Sequence, residues 1–100
     1  MNNLFMLYYL YILKCSDRSL YTGITVDINR RIEEHNSSEK GAKYTRGRRP
    51  VKAVYLKNFK NRSAASKEEA RIKKLTREHK IEMIKKYGQR NIRKISGGRD

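Results

Sequence analysis

The sequence predicts a small α+β domain, a three-stranded sheet with helices packed on it in the order β-β-α-β-α-α. Three observations carry that prediction. The run YYLYILK is apolar at nearly every position, as a strand buried on both faces requires. A short polar turn leads from it into a second strand-like segment, LYTGIT. Downstream, the capping residues Asp27, Ser63 and Thr76 each precede a stretch with helical spacing of apolar residues.

The first strand is read over Met6 to Lys14 and is expected to be central in its sheet. Ser16, Asp17 and Arg18 supply turn chemistry, so Leu20 to Thr25 should return antiparallel. Side chains alternate along a strand. Tyr11 and Tyr21 therefore share a face only if the connection holds an odd number of residues, as a three-residue turn at Ser16 to Arg18 would. Asp27 is a good N-cap, and Ile28 to His35 reads as a helix with Ile24, Ile28 and Ile32 supplying its inward side. Asp27, Arg31 and His35 recur at intervals of four, which places Arg31 and His35 on one face. Asn36 to Pro50 is polar and reads as a loop, and Val51 to Leu56 as the third strand. A helix capped by Ser63 runs to about Leu75, with Ala65, Ile72 and Leu75 inward. Thr76 opens the last helix, with Ile81, Ile84 and Tyr87 inward and Gly88 as its stop. No repeat or internal boundary is visible. Residues 1–88 form one domain, and 89–100 are expected to be a flexible basic tail.

The charge is the strongest compositional signal. Lys and Arg number 25 against 10 Asp and Glu, a net charge of +15. Such an excess opposes folding by self-repulsion and points to a polyanionic partner, nucleic acid ahead of an acidic membrane. It is uneven: residues 1–50 carry a net +4 and residues 51–100 a net +11. The apolar start lacks the basic leader and small-residue cleavage site of a signal peptide, and no apolar run is long enough to cross a bilayer. A lone cysteine, Cys15, cannot form an internal disulfide, which fits a reducing, cytoplasmic setting.

KGAKYTRGRRP gathers five basic side chains around a tyrosine. It reads either as a solvated charge run or as a phosphate clamp. In the second case Lys43, Arg46, Arg48 and Arg49 would hold the backbone and Tyr44 would stack or bond a phosphate. Nothing in it implies reading of base sequence, so affinity should follow shape or ends and fall steeply with salt. Taken by themselves, Tyr11 and Tyr21 would be packing residues, Arg31 a solvated helix residue, and His35 a helix-end residue.

YLYIL in the first strand, YTG in the second, RRIEEH on the helix that follows, then AKYTRGRRP and EARIKKLT, together resemble the GIY-YIG nuclease domain. More narrowly, they resemble its small bacterial single-domain members, over about residues 6–87. The resemblance implies that Tyr11 and Tyr21 are the two motif tyrosines, Gly23 the glycine that permits close approach, and Arg31 the catalytic arginine. It places a histidine-or-tyrosine position on His35 and the metal-binding glutamate on Glu69. Helical periodicity alone does not choose Glu69 over Glu68; the family pattern does. Two departures stand out: Tyr9 occupies the place of the first-motif glycine, and Ile24 and Thr25 stand where the repair members carry a lysine.

The implied activity is phosphodiester hydrolysis in DNA by an endonuclease using Mg²⁺ or Mn²⁺, with no evident sequence specificity. Glu69 would supply the metal carboxylate, Arg31 would stabilise charge on the phosphate, and Tyr21 would orient or deprotonate the water. Tyr11 would hydrogen-bond the water or Tyr21, and His35 would relay a proton in the range where an imidazole ordinarily titrates. The competing reading is a non-catalytic nucleic-acid-binding protein on the same fold, or an accessory subunit of a repair complex.

Overall fold

The computed structural model describes residues 7–88. The Met6 end of the first strand and the tail over 89–100 lie outside the described residues. Three strands form one antiparallel sheet in the order β2-β1-β3, where β1 is Tyr8–Lys14, β2 is Leu20–Thr25 and β3 is Lys52–Phe59. The helices are α1 (Ile28–Ser37), α2 (Lys43–Arg46), α3 (Arg62–Lys73) and α4 (Arg77–Tyr87).

The continuous apolar run of β1 earns its central place by serving two cores. Leu10 and Ile12 point to one face, Tyr11 and Leu13 to the other, and all four are buried. Full burial of one such aliphatic side chain contributes roughly 1.5–3 kcal/mol, so β1 anchors both layers. The first core joins Tyr11 and Leu13 to Ile28 and Ile32 of α1, with Cys15, Val51, Ala53 and Leu56. The second joins Leu10 and Ile12 to Tyr55 and Ile72, with Leu75, Met83 and Ile84 packed against it. The sheet is thus sandwiched, with α1 on one face and α3 and α4 on the other.

Several expectations change in detail. Ile24 packs in the second core and not under α1, because its neighbours Tyr21 and Gly23 belong to the opposite face. The β1–β2 connection holds five residues, Cys15 to Ser19, and is closed by a 2.9 Å bond from the Cys15 amide to the Ser19 carbonyl. Five is odd, so the parity argument survives. Asn61, not Ser63, caps α3: its side chain accepts from the Ala64 amide at 2.8 Å, and Ser63 lies inside the helix. Asp27 and Thr76 cap α1 and α4 as expected, accepting from the Arg30 and His79 amides. On α4, Met83 and Ile84 make the core contact, while Tyr87 is 41% exposed. The stretch 36–50 is not a plain loop. It carries α2, whose placement decides the geometry of the site.

Candidate functional site

The antiparallel register pairs Tyr11 with Gly23 and Leu13 with Tyr21, so both tyrosines stand on the α1 face of the sheet. Their ring centres are 6.4 Å apart. Gly23 is needed where it stands. A Cβ there would meet the Tyr11 hydroxyl oxygen at 2.5 Å and its ring carbon Cζ at 2.7 Å. The Tyr11 ring lies across the bare backbone of its cross-strand partner. Gly23→Ala should therefore displace Tyr11 and lower stability by about 1–3 kcal/mol as overpacking does. A thermal melt checks this.

α1 delivers two further groups from successive turns. His35 is fully buried, on the inward stripe and not merely beside it. Its Nε2 is 2.9 Å from the Tyr11 hydroxyl. Its ring centre is 5.8 Å from that of Tyr11 and 5.3 Å from that of Tyr21. Burial, with Arg31 nearby, lowers His35 to about 4. The imidazole is thus neutral at physiological pH and does not titrate in the near-neutral range that a proton relay would use. Burial also pushes Tyr11 up to about 12, against the pull of the Arg31 guanidinium beside it; Tyr21 and Glu69 add to the rise. The Arg31 guanidinium and, more weakly, the Glu69 carboxylate thus both act electrostatically on the same phenol.

Arg31 is aimed by groups the sequence did not single out. Its Nη1 donates to Glu34 Oε1 and to the Lys40 carbonyl, each at 2.7 Å. Glu34 also takes a 3.1 Å bond from Arg30. Arg31, then Arg30, hold the Glu34 carboxyl below the usual carboxylate range. Burial disfavours the Arg31 charge, but the bond to Glu34, with the neighbouring Tyr11 phenol, outweighs it and raises its pKa. The guanidinium is a fixed cation, three-quarters buried, at the edge of the tyrosine pair.

The AKYTRGRRP segment folds against this cluster. Thr45 of α2 is fully buried with its hydroxyl 3.0 Å from His35 Nδ1, and the Ala42 amide donates to the same nitrogen at 3.2 Å. Tyr44 stacks on Tyr21 with ring centres 5.8 Å apart, and the Arg48 guanidinium lies 4.1 Å from the Tyr44 ring centre. Arg48 also donates to Asp17 at 3.0 Å and to the Tyr44 carbonyl at 2.8 Å. Arg49 donates to the His35 carbonyl at 2.6 Å and to the Ser38 carbonyl at 2.5 Å, satisfying the open carbonyls at the end of α1. Four residues read as one clamp thus divide. Arg48 and Arg49 hold the segment to the body of the protein, while Lys43 and Arg46 are exposed on α2. Thr45 and Glu34 were not singled out because their roles depend on the fold of a segment with no periodic signal.

The two glutamates of α3 separate. Glu68 forms a bidentate pair with Arg71 at 2.9 and 2.7 Å, and this pairing lowers its pKa. It lines a cavity of about 650 Å³ between β3, α3 and α4 that contains none of the site residues. Glu69 is paired only with Lys73 across one turn, at 3.1 Å, and its charge reaches Tyr11. Such a partly exposed helix pair is weak enough to yield to another cation. Among the described residues no three His, Cys, Asp or Glu side chains gather as a metal cage. One carboxylate suits a hard cation such as Mg²⁺, which keeps most of its waters and takes phosphate oxygens as further ligands. It does not suit zinc. No helix among the described residues is long and apolar enough to cross a membrane.

Comparison with known proteins gives the family. The family model for the GIY-YIG catalytic domain matches residues 7–87. A UPF0213 protein of Syntrophus aciditrophicus is 52% identical over 82 residues, covering 82% of this chain and 94% of that protein. One from Haloquadratum walsbyi is 55% identical over 76 residues, covering 76% of this chain and 84% of that protein. The solution structure of a UPF0213 protein from Bacillus halodurans superposes with a TM-score of 0.56 at 44% identity, covering 85% of this chain and 89% of that one. A solution structure from E. faecalis gives 0.57 at 45% identity, covering 80% and 84%.

Proposed function

The chain belongs to the GIY-YIG catalytic-domain family, in its UPF0213 group, and from that premise we propose that it is a metal-dependent endonuclease hydrolysing phosphodiester bonds in DNA. One observation carries the reading: Tyr21, Arg31, His35 and Glu69 all act on the buried phenol of Tyr11, through ring contacts, a hydrogen bond or charge. Elements distant in sequence bring two phenols, an imidazole and a guanidinium together on the α1 face of the sheet, and the charge of Glu69, on α3, is felt at the Tyr11 phenol.

In this proposal Glu69 holds a Mg²⁺ or Mn²⁺ ion, which when bound supplies charge stabilisation to the phosphoryl oxygens and lowers the pKa of its water. Arg31, fixed by Glu34 and the Lys40 carbonyl, takes the charge that gathers on the phosphate in the transition state. Tyr21 orients the attacking water; among the described residues its hydroxyl has no hydrogen-bond partner and so can face one. Lys43 and Arg46 contact the strand backbone, and the net charge of +15 draws the polyanion in. Binding should accordingly fall steeply between about 50 and 200 mM salt, with little preference among sequences.

The test is plasmid nicking with Mg²⁺ or Mn²⁺, by wild type and Glu69→Ala. Cleavage by wild type, abolished in the variant while salt-sensitive binding persists, is the expected result. Equal cleavage by both would place the activity elsewhere. Binding without cleavage over a range of metals and substrates would instead identify a nucleic-acid-binding protein on this fold.

A further inference from the structure

Resting on the nuclease reading, we propose that His35 is a positioning residue and not a proton carrier. The Ala42 amide fixes it as the Nε2–H tautomer, so that it donates to Tyr11 and turns the Tyr11 hydroxyl proton outward as a hydrogen-bond donor toward the substrate.

The argument is an accounting of donors around one buried ring. The Ala42 amide can only donate, and its partner is His35 Nδ1 at 3.2 Å. Nδ1 must then carry its lone pair, and the ring proton sits on Nε2. The Thr45 hydroxyl, 3.0 Å from Nδ1 and 2.9 Å from the Ala42 carbonyl, has one proton that can go to either acceptor. Every group is satisfied. In the other tautomer Nδ1–H would donate to the Thr45 oxygen, and the Ala42 amide would face a second donor with no acceptor. Leaving such a backbone amide unpaired is unfavourable enough to decide between tautomers that differ little in themselves.

The consequence runs to the strand. Nε2–H points at the Tyr11 oxygen 2.9 Å away, so that oxygen accepts. The Arg31 guanidinium, whose charge is felt at the same phenol, can only donate as well. With its oxygen accepting from His35 and no acceptor bonded to it among the described residues, the hydroxyl proton of Tyr11 is left for a substrate oxygen. Tyr11 then offers a hydrogen bond to a phosphoryl oxygen or to the lone pair of a water, and it does not take a proton from that water. The two tyrosines differ in kind: Tyr21 is partly buried and without a hydrogen bond from its hydroxyl among the described residues, Tyr11 fully buried and held as a donor. The upward displacement of the Tyr11 phenol fits the neutral, donating form.

Two measurements test this. Long-range proton–nitrogen correlation spectra of the ¹⁵N-labelled protein read the tautomer directly, with His35 told apart from His79 by its loss in a His35 variant. The expected pattern is a protonated Nε2 and a bare Nδ1 at pH 7; a protonated Nδ1 overturns the proposal. That readout needs no activity, so it stands even if wild type fails to cleave, an outcome that would remove the nuclease reading alone. The second measurement is cleavage by His35→Gln and His35→Leu. A glutamine carboxamide can donate to Tyr11 but cannot carry a proton. It should retain activity within about tenfold of wild type, while His35→Leu should lose about a hundredfold or more, the range typical of a lost proton-transfer or positioning group. A His35→Gln protein that keeps its fold and is as inactive as His35→Leu would make His35 a proton relay and overturn the proposal.

Discussion

An Arg31→Lys protein is expected to bind nucleic acid almost as tightly as wild type and to cut it about a hundred- to a thousandfold more slowly, the usual cost of removing one preorganised donor from a developing negative charge. Net charge is unchanged, so the electrostatic part of binding is retained. What is lost is the fork. One guanidinium nitrogen is held by Glu34 and the Lys40 carbonyl, each at 2.7 Å, which leaves the remaining donors of a rigid plane to meet two phosphate oxygens. An ammonium carries its three donors on one nitrogen and cannot hold the Glu34 and Lys40 anchors while presenting a planar pair of donors to two phosphate oxygens. Arg30 is the built-in control. It shares Glu34 but its side chain is 67% exposed, and Arg30→Lys should leave the rate unchanged. Single-turnover cleavage with protein in excess separates the chemical step from binding. A rate for Arg31→Lys within a few-fold of wild type would mean that Arg31 contributes only charge.

That contrast shows what was legible in the sequence and what was not. The choice of Arg31 over Arg30 came from family spacing, and the fold explains it: Arg31 lies one turn from His35 and is partly buried against the tyrosines, whereas Arg30 points to solvent. Glu69 and Glu68 are each paired to a cation of their own helix, Lys73 and Arg71, and they differ in that the charge of Glu69 is felt at Tyr11 while Glu68 lines the cavity on the α4 side. The anchors were not legible. Glu34 looks like any surface carboxylate, and its role depends on the chain returning at Lys40. Thr45 sits in a polar stretch with no hydrophobic period, where nothing local indicates a buried hydroxyl. The basic residues of that stretch were indistinguishable as letters. Position in the fold separates Arg49, which closes the end of α1, and Arg48, which ties Tyr44 to Asp17, from the exposed Lys43 and Arg46.

The fold itself was readable where a pattern was long or a terminus was marked. The unbroken apolar run of β1 could only be central, and Asp27 and Thr76 bounded their helices as their chemistry suggests. Gly88 follows α4 in a right-handed conformation, and its missing Cβ makes room for the Val54 and Ile84 carbonyls. Misreadings fell where two equivalent signals competed. Asn61 and Ser63 are both good caps; the earlier one caps α3, its side chain accepting from the Ala64 amide, and the helix takes in Arg62 and Ser63. Ile24 was given to α1 because it lies near Ile28 in sequence, although strand alternation had already sent it to the other face. Alternation with period two is the stronger constraint, because one residue of slip would exchange the two cores.

Acid should destabilise this protein earlier than its carboxylates predict, and His35 is the reason. Burial, with the Arg31 charge beside it, lowers the imidazole from 6.5 to about 4 in the folded protein. The unfolded chain therefore takes up a proton below about pH 6.5 that the folded protein refuses until about pH 4. Stability is full above the unfolded value and falls through that window as the pH is lowered. By pH 5 the linkage amounts to about 2 kcal/mol, and near pH 4 to about 3 kcal/mol, a large share of what a domain of this size possesses. The paired carboxyls of Asp17, Glu34 and Glu68 are all held below their ordinary values, so their contributions are lost only at lower pH. Between pH 6.5 and about 5 the histidine should dominate. Denaturant unfolding at pH 7.5 and pH 5, for wild type and His35→Gln, isolates the effect. The wild type should lose about 2 kcal/mol more than the variant, although it should be the more stable of the two at pH 7.5. Equal losses in the two proteins would mean that the ring accepts its proton inside the fold, and that the donor arrangement around Tyr11 is not rigid enough to refuse it.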